Sequence, residues 1–338
     1  MKRLSVIIPG YNNPEWRWKR CLESVLAAIG LDDEVICVDD GSAEGRAISD
    51  CAGLKTILED GRIRVLRLSQ NQGQAAARNA AMEVAEGEYV TFVDSDDAVK
   101  GKAYDACLQK LEETGADVAV YGVNVIWATE GLQKHDVPTA ADVESLHRAN
   151  LFNYAVNKVV RKRFLDEHQI RFDVDGMPCE DVMFYLQTVL VGAKWCAVPL
   201  EGYIYYLNAN GSQVTNYERR FAKGTTAAAQ MWAKYCAAHP DASPYLRKLA
   251  LTEEEITRGE WGNIWKKGSP YSLVGKWRWM SEKTDWGMGE FVRMALRTLV
   301  RRYLYVRPLR RWHYRSLYAN VESFKVERLK SCLTHSHP

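Results

Sequence analysis

Residues 88–97 read EYVTFVDSDD. Six residues fit a strand buried in a sheet, and three carboxylates and a hydroxyl fill the next four positions. Like charges packed so closely repel one another, so the segment predicts a positive partner at the strand's end. Asp94 and Asp96, at i and i+2 on a strand-to-loop bend, can hold a hard divalent cation, Mn²⁺ or Mg²⁺. Such ions accept partial carboxylate shells completed by phosphate or water. The same acids could instead cap a helix beginning near residue 100.

Working outward, the chain before this stretch alternates strand and helix. LSVIIP (4–9), EVICVD (34–39) and RIRVLRL (62–68) are short apolar runs of strand character. Between the first two, Trp18, Leu22, Val25, Leu26 and Ile29 fall at helical spacing over 14–29, and Gly30 is a stop signal. QAAARNAAMEVAEG (74–87) reads as an alanine-rich helix. This order predicts an α/β fold, a mostly parallel sheet flanked by helices. Each strand's carboxyl end carries a polar cluster: PGYNN, DDGS, SQNQGQ and DSDD. All four therefore share one rim, where open sheets of this kind bind ligands.

After the stretch, the spacing predicts a helix over 100–114, a long strand over 116–127, a helix near 142–152 and another over 182–191. NKVVRKRFL (157–165) is a basic segment, and EGYIYYLNANGS closes this part near residue 215. The remainder is aromatic, basic and of mainly helical character. The expected organisation is a front part over 1–215 followed by a C-terminal region over 216–338.

The 338 residues are 47% hydrophobic and 26% charged, ordinary values for a globular protein. The net charge of +2 conceals an asymmetry. Residues 1–215 carry 22 Lys and Arg against 32 Asp and Glu, a net of −10, and residues 216–338 carry 23 against 11, a net of +12. So acidic a front is a poor nucleic-acid platform, while the basic back suits an anionic surface. The eight cysteines include no C-x-x-C pair, which predicts reduced, mostly buried thiols. The apolar run after Met1 is too short for a signal peptide and no run is long enough to span a membrane, so a cytoplasmic location is expected.

Three further clusters carry candidate chemistry. DDGS can be a turn, or Asp39 and Asp40 can accept hydrogen bonds from a base and a ribose. SQNQGQAAARN starts a helix at a flexible Gly73 with Arg78 in its first turns, either a surface residue or a partner for phosphate. In PCEDVMF, Glu180 and Asp181 open a helix, where acids complement the helix dipole. A carboxylate of raised pKa at such a point could also take the proton from an attacking sugar hydroxyl. No G-x-G-x-x-G follows the first strand, GSPYSLVGKW has the wrong spacing for a P-loop, and there is no G-x-S-x-G.

The ordered set SVIIPGYNN, VDDGS, NQGQAAARN, FVDSDD and CEDVMF resembles the family 2 glycosyltransferases, inverting enzymes of the GT-A fold. The resemblance covers about residues 3–215 and reaches NKVVRKRFLDEHQIRF. It implies a catalytic domain over 1–215, with a nucleotide-binding half to about 115 and an acceptor half over 116–215, and a nucleotide-diphosphate sugar donor, most often a UDP-sugar. Pro9, Tyr11 and Asp39 match positions around the base, Asp40 a neighbour of the ribose or base, and Arg78 the nucleotide-side helix. Asp94 and Asp96 match the metal-holding D-x-D pair, with Ser95 between them in the donor site. Asp181 matches the general base, and Glu180 a neighbour that positions the acceptor. IYYLNANGS departs from the pattern, with Leu207 where arginine is common, and leaves open how Ser212 and this end handle phosphate.

The expectation is a metal-dependent inverting transferase acting on a glycan or lipid-linked glycan in surface polysaccharide synthesis. A catalytically silent sugar-nucleotide binder and a nucleotidyltransferase are the alternatives. Arg293–Arg315 contains eight arginines and no acid, with Pro308 as a break. Arg293, Arg297 and Arg301 recur at i+4, a stripe suited to peripheral docking on an anionic membrane or to pairing with the acidic front.

Overall fold

Apolar runs bounded by turn residues form the first four strands. β1 (Lys2–Gly10), β2 (Glu34–Asp39), β3 (Ile63–Arg67) and β4 (Gly87–Phe92) run parallel in the order β3-β2-β1-β4. Every residue of β2 is buried, as a strand covered on both faces requires. The crossovers are α1 (Glu15–Ala28), a short α2 (Lys55–Leu58) after two 3₁₀ turns, and α3 (Gln74–Val84). α1 buries Trp18, Cys21, Leu22, Val25 and Ala28, the stripe that 3.6-residue periodicity predicts. Each large side chain buried this way contributes about 1.5–3 kcal/mol.

This is a computed structural model that describes residues 2–127, 131–174, 180–207, 221–250 and 292. Beyond β4 come β5 (Ala98–Val99), α4 (Ala103–Thr114), β6 (Val118–Trp127), β7 (Gly131–His135), α5 (Val143–Arg148), β8 (Lys158–Arg161), α6 (Lys162–Glu167), α7 (Glu180–Leu190) and β9 (Trp195–Leu207). One sheet continues as β4-β8-β6-β9-β5, with β7 on β6. Parallel pairing dominates the first half only. β4–β8, β8–β6, β6–β7 and β9–β5 are antiparallel, while β6–β9 is parallel. The sheet is therefore mixed, and its parallel part is the part that carries the polar rim.

Several elements refine the sequence reading. The helix expected near 142–152 stops at Arg148, because the chain folds back and Leu151 N–H donates to Leu146 O (2.9 Å). The basic segment 157–165 splits into β8 and α6, since Val159 and Val160 are buried in the sheet. β5, β7 and α2 are too short to leave a periodic signal. α8 (Phe221–Ala238) packs on α7, and α9 (Pro244–Arg247) follows. The first compact unit runs Met1–Thr252, past the boundary expected at 215, and the second is Glu253–Pro338. Ser212 and Arg293–Arg315 lie outside the described residues.

Cys21, Cys37, Cys107, Cys196 and Cys236 are free, buried thiols, with Cys51 partly exposed. Among the described residues no helix is long and apolar enough to cross a membrane.

Candidate active site

The four polar clusters meet on one rim, joined by hydrogen bonds. Asp40 N–H donates to Gly10 O (2.9 Å), and Asn12 N–H to Ser42 Oγ (2.8 Å). Ala43 N–H reaches Asn12 Oδ1 (2.9 Å), and Asn13 Nδ2 donates to Ser95 O (2.9 Å). The two asparagines of PGYNN thus splice three loops together, a role the sequence reading did not assign. Gly10 is needed because a Cβ there would run into the Trp18 ring. Gly41, at φ +67°, turns DDGS so tightly that a Cβ would meet the backbone of Gln70.

Asp39 is 1% exposed. Its Oδ1 accepts Ser42 N–H (2.9 Å), and its buried Oδ2 has no hydrogen-bond partner and lies 3.7 Å from Arg67 Nε. Asp40 has different work. Its two oxygens accept Gln72 N–H and Gly73 N–H (both 2.8 Å), so it builds the turn into α3. Burial raises its pKa despite those two amides. Pro9 is buried at the end of β1, and Tyr11 stands 49% exposed beyond it.

The acids of DSDD separate into distinct environments. Asp97 is fully buried and accepts Tyr203 Oη–H and Tyr206 N–H (both 2.8 Å), while Asp94 N–H donates to Tyr203 Oη (3.0 Å). Asp97 therefore anchors β9 to the bend, and its pKa is raised by burial and by Asp94 and Asp96. None of these acids caps a helix. α4 begins at Ala103, and the residue preceding it, Lys102, makes no side-chain cap.

The positive partner expected from the sequence is Arg78. It is 1% exposed, donates through Nη2 to Asp94 Oδ1 (2.9 Å) and through Nη1 to Asp181 Oδ1 (3.0 Å), and lies 4.0 Å from Glu180. Phe172 backs the guanidinium at 5.1 Å. One planar fork thus joins an acid of the D-x-D bend to the acids opening α7. Read from sequence, Arg78 was a surface residue or a phosphate ligand. In the fold its charge is already shared among three carboxylates.

Asp181 keeps 30% of its side chain exposed, and the Ala155 backbone amide is one of the groups that favour its charged form. Burial raises its pKa, with Arg78 the main opposing influence. Glu180 is pushed up to about 7, by burial and then by repulsion from Asp181. The Ala155 amide is set by a neighbour that sequence reading missed. Lys158 is fully buried and donates to Leu151 O (2.7 Å), Tyr154 O (2.7 Å) and Asn157 Oδ1 (2.9 Å), with its ammonium 4.3 Å from the Tyr185 ring. Tyr185 Oη–H closes the loop on Ala155 O (2.7 Å). The Asn157-Lys158 pair was legible only as the start of a basic segment.

On the opposite flank, Asp96 is 39% exposed and 3.5 Å from Arg17. Its pKa is raised by burial and then by Asp94. Among the described residues no group of three or more His, Cys, Asp or Glu converges on a metal position. Asp94 and Asp96 can therefore offer two carboxylates at most. That number fits a Mn²⁺ or Mg²⁺ ion whose remaining positions go to phosphate and water. Repulsion between the two acids is what such an ion would relieve.

Residues 5–169 match the family model described as glycosyl transferase family 2. This segment, just under half of the chain, is similar to a family 2 domain. The chain is 28% identical over 218 residues to the succinoglycan biosynthesis protein ExoO of Rhizobium meliloti, covering 60% of each chain. It is 27% identical over 223 residues to the poly(ribitol-phosphate) beta-N-acetylglucosaminyltransferase TarP of Staphylococcus aureus, covering 64% of this chain and 66% of that one. The match spans less than two thirds of either relative's own length. Among solved structures, S. aureus TarS 1-349 in complex with UDP-GlcNAc superposes with a TM-score of 0.58 at 21% identity, covering 76% of this chain and 72% of that one. At that identity the likeness speaks for the fold, and it agrees with the mixed sheet described above.

Proposed function

We propose that the protein is an inverting glycosyltransferase that moves a sugar from a nucleotide-diphosphate donor, a UDP-sugar, to a hydroxyl of a glycan or lipid-linked glycan. The observation that carries this reading is the bridge from Asp94 through Arg78 to Asp181. A donor-side acid and a candidate base are held at fixed spacing by one buried cation. The succinoglycan biosynthesis protein and the poly(ribitol-phosphate) beta-N-acetylglucosaminyltransferase among the relatives, and UDP-GlcNAc in TarS, support the donor and acceptor classes.

In this reading Pro9, Tyr11 and the unpartnered Oδ2 of Asp39 receive the nucleoside, and Ser95 lies beside the donor. Asp96 and Asp94 hold a Mn²⁺ or Mg²⁺ ion, which supplies charge neutralisation for the departing diphosphate. Asp181 takes the proton of the attacking hydroxyl. Its raised pKa makes it a stronger base than a solvated carboxylate, while Arg78 fixes its orientation. Glu180 steers the acceptor. The catalytic domain is assigned to about residues 1–215, with the protein at the inner face of the membrane through its basic C-terminal region.

A panel of nucleotide sugars with Mn²⁺, read by thermal shift, names the donor. With that donor, Asp181→Asn is expected to cut transfer by at least about 100-fold while nucleotide binding stays within about twofold. Transfer that survives the substitution removes Asp181 as the base.

A further inference from the structure

The two flanks of the DSDD bend differ in charge balance. On one flank Arg78 is shared among Asp94, Asp181 and Glu180. On the other, α1 presents two arginines to Asp96, Arg17 to its carboxylate and Arg20 to its backbone carbonyl. Arg17 Nη1 reaches Asp96 Oδ2 at 3.5 Å, the outer limit of a hydrogen bond, and its side chain is 23% exposed. Arg20 Nη2 donates to the backbone carbonyl of Asp96. The Nε groups of both arginines are buried and have no hydrogen-bond partner. Donor capacity is therefore left over on this flank, in a molecule where buried polar groups are normally satisfied.

The two side chains are also held differently. The Arg20 guanidinium lies 3.5 Å from the centre of the Tyr206 ring and 5.4 Å from that of Trp16. Stacked between two aromatic rings, it is preorganised, and ordering it for a ligand costs little further entropy. Arg17 lies 5.2 Å from the same Trp16 ring and, among the described residues, its guanidinium otherwise makes only its long pair with Asp96. A weak, partly exposed pair can be exchanged for a better anion. Phosphate accepts bidentate Arg hydrogen bonds shorter and stronger than this one.

We infer that Arg17 and Arg20 of α1 form a second anion subsite, which takes the diphosphate of the donor on the Asp96 flank. Arg17 turns from Asp96 to a phosphate oxygen, and this frees the carboxylate on the side that Asp94 crowds. Arg20 stays in place, fixes the Asp96 backbone and contributes a standing positive charge. The inference rests on the nucleotide-diphosphate reading of the site.

The test uses the full chain and calorimetric titration of UDP, UMP and uridine, each with and without Mn²⁺. The proteins are the wild type, Arg17→Gln, Arg17→Lys and Arg20→Lys, each checked for fold by circular dichroism and melting temperature. Arg17→Gln is expected to weaken UDP by about tenfold, the worth of one charge-assisted hydrogen bond, to weaken UMP less and to leave uridine unchanged. Arg17→Lys recovers part of the loss. Arg20→Lys keeps the charge without the planar stack and weakens UDP but not uridine. Unchanged or tighter UDP binding by Arg17→Gln overturns the inference and leaves Arg17 as a counterion of Asp96. Equal losses for UDP and uridine overturn it as well. A wild type that binds UDP no better than uridine brings down the donor reading itself, a result separable from any change in the variants.

Discussion

Arg78 holds three acids with one guanidinium, and two of its contacts need the planar fork. Lysine keeps the charge but not the geometry, since a single ammonium cannot donate to Asp94 and Asp181 along two separate vectors. Arg78→Lys is therefore expected to lower stability by about 2–4 kcal/mol in urea titrations and to reduce transfer by about 100-fold or more. A variant as active as wild type would show that the bridge does not position the base. Glu180 gives a pH signature. Its pKa is raised from 4.5 to about 7 in the folded chain, so with rising pH the unfolded chain loses this proton first. Stability conferred by the protonated form is present at low pH and is lost as pH climbs from the ordinary carboxylate range through about 7. Glu180→Gln mimics the protonated acid and escapes that loss. Its advantage over wild type should grow from near zero at about pH 4 to on the order of 1–3 kcal/mol at about pH 8. A difference that does not vary with pH would contradict the assignment.

Among the elements, α5 is docked by His147, whose Nδ1 pairs with Tyr245 Oη (2.8 Å) and whose ring meets Trp232 at 5.5 Å. Burial, with help from Arg148, lowers the His147 pKa from 6.5 to about 4. As pH falls through this window the unfolded chain takes up the proton and the folded chain does not, so the docking of α5 on α8 and α9 weakens. His147→Phe should remove on the order of 1–3 kcal/mol of the stability difference between about pH 7 and pH 4.5, measured by urea unfolding. An identical pH slope in the two proteins would mean that His147 is solvated. The same elements mark where sequence reading succeeds and where it stops. β1, β2 and β4 were legible because a strand covered on both faces is an uninterrupted apolar run. Their polar ends followed from topology, so the rim was legible too. Arg78 in its alanine-rich helix gave no sign of its partners, since Asp94 and Asp181 lie 16 and 103 positions away. The turn-building work of Asp40 and the anchoring work of Asp97 gave no sign in the sequence, because a carboxylate that shapes a turn and one that binds a substrate are the same residue type. Only the amides and hydroxyls around them tell the two apart.

At the scale of the whole molecule, charge is sorted along the chain. In the proposed reading the acidic residues 1–215, at a net of −10, would meet an anionic donor through a few placed cations, Arg17 and Arg20 with the ion proposed at Asp94 and Asp96, because Arg78 is already shared among three carboxylates. The basic residues 216–338, at a net of +12, carry charge in excess of anything that site uses. An acceptor built on a lipid would place this excess against an anionic leaflet, where each basic residue near the surface contributes about 1 kcal/mol. The full chain is therefore expected to float with vesicles rich in anionic lipid at low salt and to be released as ionic strength rises. Replacing Arg293, Arg297 and Arg301 together by Gln should weaken vesicle binding by about 100-fold and leave UDP binding in solution unchanged. If wild type shows no enrichment on the anionic vesicles, the basic charge has another use, and pairing with the acidic front becomes the reading to test.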